Sequence, residues 1–219
     1  MTTNAVTINA VTISAVTIQP QLADALVRAF PDDADHLSEL HDRLVAAAQA
    51  EGILDVAYRT LDTPLGTLLL AATEFGLVRV AFSSENHDAV LQTLSERISP
   101  RILQDPARLD VTARELEQYF AGHRRTFDLA LDWRLSSGFR STVLHLLPEI
   151  AYGRTVTYAA VAQLTGNPKA VRAVGTACAT NPLPVVVPCH RVVRSDGGMG
   201  GYLGGLEAKR TLLTLEATA

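Results

Sequence analysis

The sequence predicts an α/β N-terminal domain, a small sheet with helices on one side, followed by a mainly α C-terminal domain containing a helix-turn-helix. Three observations carry this. Strand-like runs near residues 54–61, 66–72 and 76–82 follow one another, the first two joined by Asp62-Thr63-Pro64-Leu65-Gly66, whose residue types make turns. Past residue 138, apolar residues recur at helical spacing instead of alternating. Finally, Gly166-Asn167-Pro168 separates two short helical stretches, the layout of a helix-turn-helix, although helical hairpins inside cores share it. The expected divisions are a flexible tail at 1–20, a helical extension at 21–52, the α/β domain at 53–135 and the helical domain at 136–219.

Residues 4–18 hold a tandem repeat of Ala-Val-Thr-Ile with a period of five, which suits neither a strand nor a helix face. From 21 to 51, Leu22, Leu26, Leu37, Leu40 and Leu44 mark helices, with Pro31 as a break, Asp32 or Asp33 as a cap and Gly52 as the stop. Helices near 86–98 and 110–121 follow the strands, and 133–138 reads as a linker. The second half begins with a helix from Gly138 to Ile150. Thr157 is placed to cap a helix reaching Leu164, and Pro168 to open one running to about Thr180. Pro182-Leu183-Pro184-Val185-Val186-Val187-Pro188 must leave helix at each proline. A glycine-rich loop from Gly197 to Gly205 precedes a last helix, Leu206 to Glu216, whose buried leucines are expected at 212, 213 and 215.

The 219 residues include 47% hydrophobic and 19% charged types, an ordinary globular balance long enough to bury a core. No apolar run is long enough to span a bilayer, and the N-terminus lacks the pattern of a signal peptide. Only two cysteines occur, Cys178 and Cys189, too few for a disulfide scaffold. The expectation is a cytoplasmic protein with no membrane partner. Net charge is −4, yet from Ala151 to Ser195 there is no Asp or Glu, while Arg154, Lys169, Arg172, Arg191 and Arg194 fall there. One face could therefore meet a polyanion, although chance also yields such a stretch.

Cys189 lies between Pro188 and His190. A thiolate is the nucleophilic form of cysteine, and a neighbouring imidazole can take its proton, directly or through a water. Glu216 is the candidate carboxylate to orient that imidazole. A buried, inert cysteine and a cysteine hydrolase both remain open on these residues alone. A structural zinc site is disfavoured, because Cys178, Cys189 and His190 supply no Cys-x-x-Cys pair and no fourth ligand.

Taken together, Pro188-Cys189-His190-Arg191-Val192, Gly166 through Gly175, Asn181-Pro182-Leu183-Pro184, Gly200-Gly201-Tyr202 and Gly204 through Arg210 resemble the O6-alkylguanine-DNA alkyltransferase family. The likeness covers about Tyr152 to Glu216; Tyr58 to Phe82 is similar to the family's N-terminal domain more loosely, and residues 1–50 match nothing in it. The resemblance implies a single-turnover methyltransferase for DNA repair. Double-stranded DNA bearing O6-alkylguanine would be the partner, bound through the minor groove, with the lesion flipped out of the stack. A monomer is implied, with clustering on DNA as an alternative, and no cofactor or metal is needed. Cys189 would accept the alkyl group, with His190, Glu216, Tyr158 and Asn181 as the other catalytic residues. Arg172 would fill the vacated stack, and Lys169, Ala170 and Tyr158 would also contact DNA. Pro184, Val192, Tyr202 and Leu203 would line the substrate pocket. Leu203 stands where some members carry a serine that contacts O6, and Cys178 where a larger apolar residue is common. The zinc-binding N-terminus of some members has no counterpart. A relative that binds the lesion without transferring it would lack the nucleophilic cysteine.

Overall fold

The computed structural model of the chain describes residues 33–218. Among the described residues, 45–218 form one compact unit and 33–44 belong to another. The tandem repeat, the tail and the first expected helix lie outside the described residues. Helix α1, Asp33–Ala50, exposes Leu37, Leu40 and Leu44. Its last turn, with Val45 and Ala48, packs with Leu54 and the half-buried Leu103, and Gly52 follows at φ +64° as the expected stop.

Three strands, β1 (Val56–Thr63), β2 (Gly66–Thr73) and β3 (Gly76–Phe82), form an antiparallel meander. Thr63 builds the first turn: its hydroxyl donates to the Gly66 carbonyl at 2.7 Å and accepts from the Leu65 N–H at 3.1 Å. The first strand begins and ends two residues later than its apolar run suggests. Helix α2 (His87–Arg97), capped by the Asn86 side chain, leads to a short strand β4 (Ile102–Gln104), which pairs parallel with β1 and completes the order β3-β2-β1-β4. Strand β4 is not expected from the sequence, because three residues are too few to show a period.

Strand β2 is buried along both faces, and its alternation sorts two clusters. Leu69 and Ala71 face Val90 and Leu94 of α2. Leu68, Leu70 and Ala72 join the larger core with Leu116 and Tyr119 of helix α3 (Asp110–Phe120) and with residues of the second half, among them Val143, Leu183 and Leu212. Helices thus cover both faces of the sheet rather than one, because β2 has no polar face to leave in water.

Helix α4 covers Gly138–Leu146 and tightens at Leu147–Glu149 into a 3₁₀ turn, because Pro148 has no N–H to continue it, so it ends short of the expected Ile150. The presumed linker holds a 3₁₀ turn, Trp133–Leu135, and Trp133 stacks on His145 at 4.0 Å. Strand β5 (Val156–Thr157) enters helix α5 (Tyr158–Leu164), whose cap is Thr157, accepting from the Ala160 N–H at 3.1 Å. Helix α6 runs Val171–Ala179 and starts three residues later than expected. Pro168 and Lys169 belong to the turn, which the Ala170 N–H closes by donating to the Asn167 carbonyl at 2.9 Å. A two-residue strand β6 (Val192–Val193) pairs parallel with β5, and helix α7 covers Gly205–Thr218. On α7, Leu212 is buried, while Leu213 and Leu215 are only half-buried.

Candidate functional site: a buried thiol in a hydrogen-bonded turn

The segment from Asn181 to Val192 is buried throughout. Its three prolines deny it helix and strand ladders, so its polar backbone must be satisfied locally. Asn181, fully buried, does much of this. Its Nδ2 donates to the Val187 carbonyl at 2.8 Å and to Cys189 Sγ at 3.2 Å, and its Oδ1 accepts from the Leu183 N–H at 3.0 Å. Val185, a β-branched residue, is held at φ +72°, a conformation that costs about 1–3 kcal/mol and persists only where its surroundings impose it. Pro188, at φ −80° and ψ 63°, centres an inverse γ-turn in which the Cys189 N–H donates to the Val187 carbonyl at 2.8 Å. The first half anchors this segment from outside: the Val80 N–H of β3 donates to the Pro182 carbonyl at 2.9 Å, and Arg79 donates to it at 3.2 Å.

Burial pushes the Cys189 thiol up to about 11, against the opposing pull of the Asn181 hydrogen bond and the Lys209 charge. The resting group is therefore a thiol and needs a base. His190 follows it in the same 3₁₀ turn, fully buried, and burial holds the imidazole below its usual range despite Glu216. Its Nε2 lies 2.9 Å from Glu216 Oε1. Burial alone would raise the Glu216 carboxyl, but hydrogen bonds from His190 and Arg191 outweigh it and hold the group far below the carboxylate range. A carboxylate only accepts, so the neutral ring must donate from Nε2 and leave Nδ1 bare. Nδ1 is buried and has no hydrogen-bond partner among the described residues. A base with its accepting nitrogen free is thus placed next to the thiol in sequence, with no direct bond between Sγ and the ring.

Glu216 collects further donors. Arg191 reaches Oε2 through Nε and Oε1 through Nη2, both at 2.9 Å, while its Nη1 donates to the Ile150 carbonyl at 2.6 Å. The Tyr119 hydroxyl donates to Oε1 at 2.7 Å and the Gly153 N–H to Oε2 at 3.1 Å. Lys209 is fully buried, its ammonium donating to the carbonyls of Val192, at 2.7 Å, and Met199. Arg191, expected from the charge pattern on a face toward a polyanion, is instead buried against Glu216, and neither Tyr119 nor Lys209 is among the expected site residues. Lys209 had a signal: it shares a helical face with Leu212 and Glu216, at intervals of three and seven, and a cation on a core-facing stripe needs buried acceptors.

An open cavity of about 580 Å³ lies between α5, α6 and the glycine-rich loop, walled by Tyr158, Gly175, Ala179, Arg194 and Gly200 through Leu203. Tyr202 and Leu203 line it as expected residues, whereas Pro184 and Val192 are buried and do not. Burial and the neighbouring Cys178 and Cys189 push the Tyr158 hydroxyl up to about 12, so it stays protonated and can donate. Gly200, at φ +69°, is required here twice over: a Cβ would lie 2.7 Å from that hydroxyl. Phe82 from β3 meets Tyr202 edge to face at 5.7 Å. Cys178 is buried on α6. On the outside, Arg172 stands exposed in the first turn of α6, Lys169 is exposed in the preceding turn, and Ala170 is half-buried.

Residues 138–218 match the family model described as 6-O-methylguanine DNA methyltransferase, DNA binding domain, and residues 56–133 match its ribonuclease-like domain. The chain belongs to the 6-O-methylguanine DNA methyltransferase family. A methylated-DNA–protein-cysteine methyltransferase of Mycolicibacterium paratuberculosis is 38% identical over 161 residues, 74% of this chain and 92% of that protein. The constitutive enzyme of that name from Bacillus subtilis is 37% identical over 163 residues, covering 73% and 94%. Crystal structures of the Mycobacterium tuberculosis O6-methylguanine methyltransferase, one of them in complex with DNA, superpose with TM-score 0.66 at 36% identity, over 74% of this chain and 93% of theirs. The methyltransferase fold therefore carries the Cys189 site described above.

Proposed function

We propose that this protein repairs alkylated DNA by moving the O6-alkyl group of guanine onto Cys189, once per molecule. The observation that carries the reading is the pairing of a buried thiol with a neutral imidazole whose Nδ1 is free and whose Nε2 is held by an ionised carboxylate. The likeness to named methyltransferases, one crystallised with DNA, supports DNA as the partner.

The chemistry balances without a cofactor. The Cys189 proton passes through one water to His190 Nδ1, and the thiolate attacks the O6-alkyl carbon as the carbon–oxygen bond breaks. Asn181 Nδ2, 3.2 Å from Sγ, stabilises the negative sulfur. Guanine leaves with the bonding pair and takes a proton through the Tyr158 hydroxyl, so a thiol and an O6-alkylguanine become a thioether and guanine. No residue here reverses a thioether, which makes the transfer irreversible.

The lesion must leave the stack to reach a cysteine only 2% exposed. Helices α5 and α6 act as the helix-turn-helix, entering the minor groove with Arg172 filling the gap, Lys169 and Ala170 along the backbone, and Tyr158 at the target phosphate. The flipped base sits in the cavity walled by Tyr202 and Leu203, with Pro184 and Val192 shaping the buried turn behind Cys189. Recognition helix, base and acceptor come from one chain, which supports action as a monomer. A free acceptor thiol suits a reducing compartment such as the cytoplasm; no described helix is long and apolar enough to cross a membrane. The test is Cys189→Ala, which should bind duplex DNA containing O6-methylguanine yet accept no methyl; labelled methyl appearing on that variant would refute the assignment.

A further inference from the structure

Glu216 Oε1 is crowded. It receives the His190 ring at 2.9 Å, the Arg191 Nη2 at 2.9 Å and the Tyr119 hydroxyl at 2.7 Å. A carboxylate oxygen offers about two lone-pair positions, so these donors compete for its charge. Tyr119 is not part of the cysteine turn or of α7. It comes from α3, on the sheet-bearing half, 97 residues from Glu216. Its side chain is fully buried, and the rings of Phe120, Phe127 and Tyr152, with centroids 5.4, 5.2 and 6.1 Å away, hold it in place. Burial, and then Glu216, keep its proton firmly on the oxygen, so it can only donate to the carboxylate.

We infer that Tyr119 is a positioning residue for alkyl transfer: its hydroxyl occupies Glu216 Oε1 and so limits how tightly that oxygen grips the His190 ring. The inference rests on the alkyl-transfer reading above. A carboxylate left wholly to His190 and Arg191 would favour the charged imidazolium and take the base out of use. The Tyr119 O–H draws off part of that charge and keeps the imidazole neutral, with Nδ1 open for the Cys189 proton. The other charged groups around His190 work in the same direction: Arg191, in the same turn, and Lys209, on α7, both disfavour a second positive charge. Tyr202 presents only its ring edge-on to His190, at 6.3 Å. The sheet-bearing half thereby reaches into the proton relay of the helical half.

The experiment compares wild type and Tyr119→Phe, which keeps the ring and loses only the donor. Methyl transfer from an O6-methylguanine duplex is timed across pH, and the His190 ring is titrated by NMR in both proteins. The acid limb of the variant's rate profile should move up by roughly half to one pH unit, and the His190 titration should move with it. Site-specific 3-fluorotyrosine at position 119, a stronger donor of nearly the same shape, should move both down. If wild type transfers methyl and the variant's profile superimposes on it, or slows evenly with no His190 shift, the hydroxyl is only structural and the inference is overturned while the reading stands. If wild type transfers no methyl, the reading itself fails and the inference falls with it.

Discussion

Replacing Glu216 with Gln removes one charge and hardly any volume from the centre of the network. The carboxylate is 4% exposed and balances Arg191, which is 6% exposed and has no other acidic partner among its hydrogen bonds. Gln keeps one acceptor oxygen. The other becomes an NH₂ that must point at an Arg191, Tyr119 or Gly153 donor. Breaking a buried ion pair from one side costs about 3–5 kcal/mol, because the remaining charge stays buried without a counter-ion. At about 2–4 °C per kcal/mol for a chain of this size, Tm should fall by roughly 6–20 °C at neutral pH. Urea unfolding at pH 7 measures the loss directly. The pH dependence gives a second check. Glu216 has a depressed folded-state pKa, so its stabilisation is complete above the unfolded carboxylate value of about 4.3 and drains away as pH falls below it. The gap between wild type and Glu216→Gln should therefore be constant from pH 7 down to about 5 and narrow below it. A loss under about 1 kcal/mol at pH 7, the range of an exposed pair, would refute the view of this carboxylate as the buried hub.

Gly200→Ala puts a Cβ 2.7 Å from the Tyr158 hydroxyl at φ +69°, so it should displace Tyr158 and slow methyl transfer at least tenfold in a timed duplex assay; a wild-type rate would remove Tyr158 from the reaction. Arg172→Ala, changing an exposed side chain, should leave Tm within about 1 °C while slowing repair of duplex lesions far more than reaction with free O6-methylguanine base. Equal slowing on both substrates would take base flipping away from Arg172.

Local chemistry was legible where a period or a cap expresses it. Turn-bounded apolar runs mark β2 and β3, Thr157 marks the start of α5, and the expected pairing of His190 with Glu216 is present as a 2.9 Å hydrogen bond, with Cys189 beside the imidazole in sequence. What escaped depends on contacts that no local pattern encodes. Pro168 is as well suited to a turn as to the first turn of a helix, and the Asn167–Ala170 hydrogen bond decides for the turn. Tyr119 reads as one more core aromatic, on a face with Ala113 and Leu116, and only the fold reveals the carboxylate at its hydroxyl. The placement of helices on both faces of the sheet likewise follows from long-range packing of α2 and α3 on opposite sides of β2.

The central claim is that Cys189 becomes the carrier of the lesion's alkyl group. It is tested most directly by incubating the protein with duplex DNA containing O6-methylguanine and reading the peptide that holds Cys189 by mass spectrometry. One methyl on Cys189 per molecule, with no turnover when DNA is in excess, is the expected result. A protein that binds the duplex and stays unmodified, or carries the methyl on Cys178 instead, would contradict the account.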